Sequence, residues 1–337
     1  MAGNRQWVLA RRPTGKADES CFELVEDDVP GIGDQELLIR TTHLIMEPAI
    51  RGWLNPKGSG YLPGVEIGAA VRGAGLGEVV ASNLDAIAPG TIVQHMTHWR
   101  EYSVASMDPN RPFEQAGPVP DGADPLHAAT VLSSPGYTAY AATTRLLQPT
   151  ADDAVLVTGA SSLVGSLACQ LAKRTGAYVV GTAGSPEKCS WLVDDVGIDA
   201  CIDYRAEDLD SRLKELFPSG ITAVFDNVGG STLDTVLRRI AIGARVVLVG
   251  SLSRDNETEP YRLGNYDRLM SRRATMMGYN TIDHIDLIEE AQATFLDWIA
   301  EGSLVPRVKV WNGLESAPDA FMALYDDPRP GKPVVVL

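Results

Sequence analysis

The chain changes its hydropathic rhythm near residue 125. Before that point, short apolar runs such as Glu36-Leu37-Leu38-Ile39-Arg40, Gly77-Glu78-Val79-Val80-Ala81 and Thr91-Ile92-Val93 stand between Pro and Gly. The segment Pro30-Gly31-Ile32-Gly33-Asp34 has the composition of a turn. Runs of this length with such boundaries predict strands. From Pro125 to Leu147 small and apolar residues follow a helical pattern, which Gly136 is expected to break. Beyond it strands and helices alternate. Strands are predicted near 154–158, 177–181, 199–203, 222–226, 244–249 and 274–279, and helices at 162–174, 186–196, 206–217, 231–241 and 284–302. These strands are nearly continuous Val, Ile, Leu and Ala, as a parallel sheet covered on both faces requires. The final Pro333-Val334-Val335-Val336-Leu337 reads as one more strand, returning to the N-terminal part. The pattern therefore predicts an α/β domain over 125–305 and a discontinuous β-rich domain of 1–124 and 306–337.

The most informative stretch is Ala154-Val155-Leu156-Val157-Thr158-Gly159-Ala160-Ser161-Ser162-Leu163-Val164-Gly165. An apolar strand runs into a loop of small residues, and a helix opens after it. That layout sets a pyrophosphate against free N–H groups and the positive end of a helix dipole. It predicts a doubly wound, Rossmann-type sheet and a dinucleotide cofactor. In an NAD site an acidic residue about 20 positions on receives the ribose hydroxyls. Here the second strand ends Val180-Gly181-Thr182-Ala183-Gly184-Ser185, with no acid, and Lys188 follows on the next helix. A phosphate would be held there, so NADP(H) is favoured over NAD(H). Tyr204, after the third strand, and Arg329, in Arg329-Pro330-Gly331-Lys332, are expected at the same end of the cofactor.

Composition narrows the classes. With 337 residues the chain is long enough for two domains, and 45% hydrophobic with 22% charged residues is an ordinary globular balance. A net charge of −15 argues against nucleic acid or an anionic membrane as partner. Met1 to Pro13 has no apolar core of the roughly 7–15 residues that a secretory leader needs, and no run approaches a membrane span. Cys21, Cys169, Cys189 and Cys201 are scattered with no C-x-x-C pair. A reducing cytoplasm is expected.

The loop also resembles the start of short-chain dehydrogenases, but that chemistry needs Tyr and Lys four apart, and none of the ten tyrosines has Lys at that spacing. The size and domain order instead resemble the medium-chain dehydrogenase/reductase superfamily, with a GroES-like β-rich catalytic domain. Its zinc enzymes carry Gly-His-Glu, where this chain has Gly64-Val65-Glu66, and no cysteine lies between Cys21 and Cys169. Three zinc ligands are not expected, and His95 and His98 read as surface or pocket residues.

Closer matches recur in order: Pro48-Ala49-Ile50-Arg51-Gly52, Glu66-Ile67-Gly68, Val71-Arg72-Gly73-Ala74-Gly75-Leu76-Gly77, Trp99-Arg100-Glu101-Tyr102, Pro135-Gly136-Tyr137-Thr138-Ala139-Tyr140, Glu187-Lys188-Cys189, Ile202-Asp203-Tyr204 and Phe225-Asp226-Asn227-Val228-Gly229-Gly230. Together they resemble the zinc-independent leukotriene B4 dehydrogenase / prostaglandin reductase family, with its plant alkenal double-bond reductases and bacterial curcumin-type reductases. The resemblance implies NADPH-dependent reduction of the C=C bond of an α,β-unsaturated ketone or aldehyde. Hydride goes to the β-carbon, the enolate oxygen accepts hydrogen bonds, and a proton reaches the α-carbon. It places Thr138 near the nicotinamide, Ser161, Ser162, Leu163, Val164 and Ser251 along the cofactor, Asn227 at its ribose–phosphate region, and Gly184, Lys188, Tyr204 and Arg329 at the 2′-phosphate. It also implies a homodimer, for which Ala274-Thr275-Met276-Met277-Gly278-Tyr279 offers an edge.

Three positions depart from the family. Ser162 stands for a Gly, Ala49 for a Tyr, and Asp255, in Leu252-Ser253-Arg254-Asp255-Asn256, for the Tyr that donates to the substrate oxygen. An ionised Asp only accepts hydrogen bonds. Arg51, Tyr61, Tyr261, Tyr266 and Tyr279 are the alternative donors, and Ala49, Arg51, Tyr61, Asp255 and Tyr261 the expected pocket residues. Losing two aromatics predicts a bulky substrate, such as an aryl enone. An NADPH:quinone reductase and a non-catalytic NADPH-binding protein are the competing readings.

Overall fold

The computed structural model describes residues 3–58, 62–108, 110–255, 259 and 261–337. The chain forms two compact units, one of Met1–Thr130, Val308–Asp326 and Lys332–Leu337, the other of Val131–Arg307 and Asp327–Gly331.

The second unit is built on six strands: β1 (Ala154–Val157), β2 (Tyr178–Ala183), β3 (Ala200–Asp203), β4 (Ile221–Asp226), β5 (Ile240–Leu248) and β6 (Thr275–Gly278). All pair in parallel, in the order β3-β2-β1-β4-β5-β6. Chain direction along the sheet reverses between β1 and β4, the crevice where doubly wound sheets bind dinucleotides. Alternate residues feed opposite cores. Val155, Val157, Val179, Phe225 and Val247 pack on one face, and Leu156, Val180, Val224 and Val246 on the other. Burial of both faces is why these strands read as unbroken apolar runs.

Six helices matter here: α1 (Ser134–Ala141), α2 (Leu163–Arg174), α3 (Pro186–Asp194), α4 (Leu209–Leu216), α5 (Gly230–Leu237) and α6 (Ile288–Ala300). Side-chain caps set three of the starts. Ser162 Oγ accepts from Gly165 N at 3.0 Å, Ser185 Oγ from Lys188 N at 3.2 Å, and Asp208 Oδ2 from Ser211 N at 2.9 Å.

Several boundaries differ from the sequence pattern. Gly136 does not break its helix; it lies inside α1, and the interruption falls between Ala128 and Ser134. A Cβ at Gly136 would stand 1.8 Å from the Val131 carbonyl oxygen, so close backbone approach explains this glycine. The helix expected over 231–241 stops at Leu237, and β5 starts at Ile240. Gly243, with φ of 75°, interrupts the apolar run at the start of β5, and the ladder to β4 shifts register there. The stretch expected as one helix over 284–302 is a 3₁₀ segment, Thr281–Leu287, followed by α6.

In the first unit Asn4–Leu9 pairs antiparallel with Phe22–Asp27. A seven-stranded sheet follows the order Val308–Asn312, Lys332–Val336, Glu36–Ile45, Gly75–Ser82, Ile92–His95 and Gly117–Pro118, with Tyr102–Ser106 also on Glu36–Ile45. The terminal strand is thus held on both sides, parallel to Val308–Asn312 and antiparallel to Glu36–Ile45. Trp99, Phe22 and Phe321 centre one core, with Trp99 centroids 5.2 and 5.7 Å from the other two rings.

His95 is buried in the first unit and His98 is half-buried. His95 is buried with Nε2 3.0 Å from Ser103 Oγ, and His98 Nδ1 lies 3.0 Å from the Met96 carbonyl oxygen. Burial, with the nearby charge of His98 and Arg100, pulls the His95 pKa down to about 3. Folding therefore keeps His95 neutral while the unfolded chain takes up a proton below its ordinary pKa. The sign is that stability is fully present above pH 6.5 and falls as pH drops from there toward 3. Between pH 7 and 5 His95 should remove about 2 kcal/mol. Denaturant titrations of wild type and His95→Gln at both pH values check this; an equal pH effect in the two proteins would refute it.

Candidate active site

The carboxyl ends of the six strands carry the polar residues of the second unit. At their centre Thr158, directly after β1, is bound to the end of β4. Its Oγ1 donates to Asp226 Oδ1 at 2.6 Å and accepts from Asn227 N at 2.9 Å, while Asn227 Nδ2 donates to the Thr158 carbonyl at 2.8 Å. Asp226 Oδ2 accepts from Gly229 N at 2.9 Å, which shapes the turn into α5. Thr158 and Asp226 are fully buried. Burial pushes the Asp226 carboxyl up, and the donors from Thr158, Val228 and Gly229 hold it back. On the other flank Gly159 N donates to Thr182 Oγ1 at 3.2 Å and Ala160 N to the Thr182 carbonyl at 2.9 Å. The loop is thus tied to β2 and β4 together.

Beyond the loop, Ser162 uses its hydroxyl on Gly165 N. Helix geometry leaves the N–H groups of Leu163 and Val164 without intrahelical partners. Gly159 has φ of 60°, and a Cβ at Gly165 would stand 2.4 Å from the Gly159 carbonyl oxygen. Gly165 is therefore the glycine that lets α2 sit against the loop. Ser162, in place of the family glycine, costs nothing here because it serves as the N-cap. Beside the turn, Leu252 N donates to the Asn227 carbonyl at 3.1 Å, which brings Ser251 and Leu252 next to it.

The ends of β2 and β3 form a second cluster. Tyr204 lies against Gly184, where a Cβ would stand 2.7 Å from its hydroxyl and 3.2 Å from Arg205 Nε. Ser185 Oγ, besides capping α3, donates to the Pro328 carbonyl at 2.8 Å, and Lys188 Nζ donates to the Asp327 carbonyl at 2.7 Å. Arg329 is ion-paired with Asp327 at 2.7 Å. The structure thus groups Gly184, Lys188, Tyr204 and Arg329, and adds Arg205 and Asp327, which sequence reasoning missed. Arg205 directly follows a residue already singled out; Asp327 had no local signal, because it arrives from the far end of the chain.

The proposed donors stand apart. Arg51 is buried, its Nε and Nη2 donating to the Gly15 carbonyl at 3.1 and 2.6 Å and its Nη1 to Asn55 Oδ1 at 2.8 Å. Its guanidinium is committed inside the first unit, where Ala49, on the short helix Ala49–Trp53, is exposed. Tyr61 lies outside the described residues. Tyr261 donates to Asp234 Oδ2 on α5 at 3.2 Å, and Tyr266 is mostly exposed. Tyr279 follows β6, with its N–H on the Leu248 carbonyl at 2.9 Å and its ring stacked on His284 at 5.2 Å. Asp255 ends the 3₁₀ turn Leu252–Arg254, and Thr138 on α1 meets Thr281 Oγ1 at 3.3 Å. Among the described residues no three His, Cys, Asp or Glu side chains come together as a metal site, and no helix is long and apolar enough to cross a membrane.

A dinucleotide phosphate fits the second unit. The cradle at Gly184 would be filled by any Cβ, no carboxylate ends β2, and basic side chains flank it. Order and site define an α/β protein with a Rossmann-type sheet plus a GroES-like β-rich unit. Family profiles described as "N-terminal domain of oxidoreductase" and "Zinc-binding dehydrogenase" match residues 5–112 and 164–301. The NADPH-dependent curcumin reductase of Escherichia coli (strain K12) is 33% identical, covering 98% of this chain and 96% of the relative. The 2-alkenal reductase (NADP(+)-dependent) of Nicotiana tabacum is 32% identical, covering 99% and 97%. The crystal structure of CurA in complex with NADPH from Vibrio vulnificus superposes with a TM-score of 0.90 at 32% identity, covering 98% of both chains. The chain belongs to the zinc-independent medium-chain dehydrogenase/reductase family of curcumin, alkenal and prostaglandin reductases.

Thr158→Val keeps shape but removes the donor to Asp226 and the acceptor for Asn227 N. Leaving both buried groups short of a partner should cost about 1–3 kcal/mol. Thermal and denaturant unfolding check it; an unchanged unfolding midpoint would show that the lock carries no stability.

Proposed function

We propose that the chain is an NADPH-dependent oxidoreductase that reduces the C=C bond of α,β-unsaturated ketones or aldehydes, with bulky or aryl enones as preferred substrates. One observation carries the cofactor half: the end of β2, whose own residues carry no acid and where Gly184, Lys188, Tyr204 and Arg205 converge. The reaction half is supported by likeness along the full chain to curcumin and 2-alkenal reductases. In this reading the second unit binds the nucleotide. A reducing cytoplasm is the compartment this reading assumes. β6, at the sheet edge, is the surface on which two copies would pair as a homodimer.

Bound NADPH supplies a hydride. The protein's part is to hold, orient and stabilise. The N–H groups of Leu163 and Val164, the α2 dipole, Ser161 and Ser162 would hold the pyrophosphate. Lys188 and Arg205 would attract the 2′-phosphate, with Gly184 and Tyr204 completing its site. Arg329 contributes less charge than its position suggests, because Asp327 neutralises it. Asn227 fixes the loop through the Thr158 carbonyl; with Ser251 and Thr138 it would contact the ribose and nicotinamide end. The substrate's enolate oxygen needs a donor, and ionised Asp255 offers none. Of the described candidates, Tyr279 stands at the carboxyl edge of the parallel sheet, and we assign it that role.

Lys188→Glu places a carboxylate where the phosphate sits. It should raise the KM for NADPH at least tenfold, about 1.4 kcal/mol, and that for NADH less than twofold; equal effects would overturn the cofactor assignment. Turnover of a panel of aryl enones, short alkenals and quinones, with product masses, tests the rest. Faster reduction of short alkenals than of aryl enones would refute the bulky substrate, and turnover of quinones alone would refute enone reduction.

A further inference from the structure

Two of the four cysteines are neighbours in space. Cys189 is on the first turns of α3, with its N–H on the Ser185 carbonyl at 3.1 Å, and Cys201 is on β3, paired with Gly181. Their sulfur atoms are 2.7 Å apart, and both residues are partly exposed. Cys21 and Cys169, by contrast, are sealed in separate cores. A disulfide needs an S–S distance of about 2.05 Å, so these sulfurs have well under an ångström to close. No function described above uses either thiol.

We propose that Cys189 and Cys201 form a reversible disulfide when the protein meets a neutral hydroperoxide, stapling α3 to β3. The Cys201 thiol donates to Cys189 Sγ, which holds the Cys189 thiol below its ordinary range and makes it the attacking sulfur. Its thiolate attacks the peroxide, the O–O bond breaks, and an alcohol or water leaves, giving a sulfenic acid at Cys189. Cys201 then loses its proton and attacks that sulfur. The S–S bond forms, the S–O bond breaks, and water leaves. Two electrons pass from the thiol pair to the peroxide. Asp203 and Glu207 place negative charge near Cys189, which disfavours anionic oxidants such as glutathione disulfide and selects a small neutral one.

The staple joins the elements that hold the cofactor's phosphate end: Lys188 precedes Cys189, and Tyr204 and Arg205 follow Cys201. This consequence rests on the functional reading above. It predicts KM values for NADPH at least threefold apart between reduced and oxidised protein.

The test treats the full-length protein with hydrogen peroxide at neutral pH, alkylates the remaining thiols and maps peptides by mass. The expected result is a Cys189–Cys201 cross-link with loss of two hydrogens, reversed by dithiothreitol, with Cys21 and Cys169 still reduced. In Cys201→Ser, dimedone should trap a sulfenic acid at Cys189 that wild type resolves. Sulfinic acid at Cys189 beside a free Cys201, or equal dimedone labelling in the two proteins, would overturn the staple. Equal KM values in cross-linked and reduced protein would overturn its effect on the cofactor site. Failure of the cofactor assignment itself would show separately, as absence of NADPH saturation in the reduced protein before any oxidant is added.

Discussion

The hydrogen-bonded lock between Thr158, Asp226 and Asn227 is the constraint on which the rest of the second unit depends. A loop of small residues has no shape of its own. Here its first residue is bound to the end of β4 by three hydrogen bonds, and its next two to Thr182 on β2. The same carboxylate turns the chain into α5 through Gly229. The first residue of the loop and the start of α5 are thus set by one buried, hydrogen-bonded carboxylate. Burying a carboxylate is costly unless donors surround it, and this one is surrounded.

Much of the parallel unit was legible because its strands are buried on both faces. Continuous apolar runs of four to nine residues then have few other readings. The boundaries that failed have local causes. Gly136 looks like a breaker on the page, yet it is a contact residue, placed where the Val131 carbonyl leaves no room for a side chain. The start of β5 carries Gly243 with φ of 75° and a shifted register, so its first residues did not read as strand.

The site was legible in proportion to how local it is. The loop, Lys188, Tyr204 and Asn227 lie on contiguous motifs and could be named from sequence. Arg205 lies one residue outside its motif. Asp327 and Pro328, which accept from Lys188 and Ser185, lie about 140 residues from them, and no spacing rule spans that gap. Arg51 shows the opposite failure. A motif match offered it as a donor, but a guanidinium with five N–H groups is a good tie for a loop, and this one holds Gly15 and Asn55. The role of the substituted Asp255 likewise depends on what faces it rather than on its own identity.

The segment Asp327–Gly331 belongs to the second unit, yet the chain on both sides of it, Val308–Asp326 and Lys332–Leu337, belongs to the first. Connectivity therefore makes the second unit non-modular. A fragment cut as the continuous stretch 131–307 would keep all six strands and lose the carbonyls to which Ser185 and Lys188 donate. The start of α3 gains these partners only when residues 327 and 328 arrive. The six strands lie within residues 154–278, but the carbonyls that finish the start of α3 come only at 327 and 328.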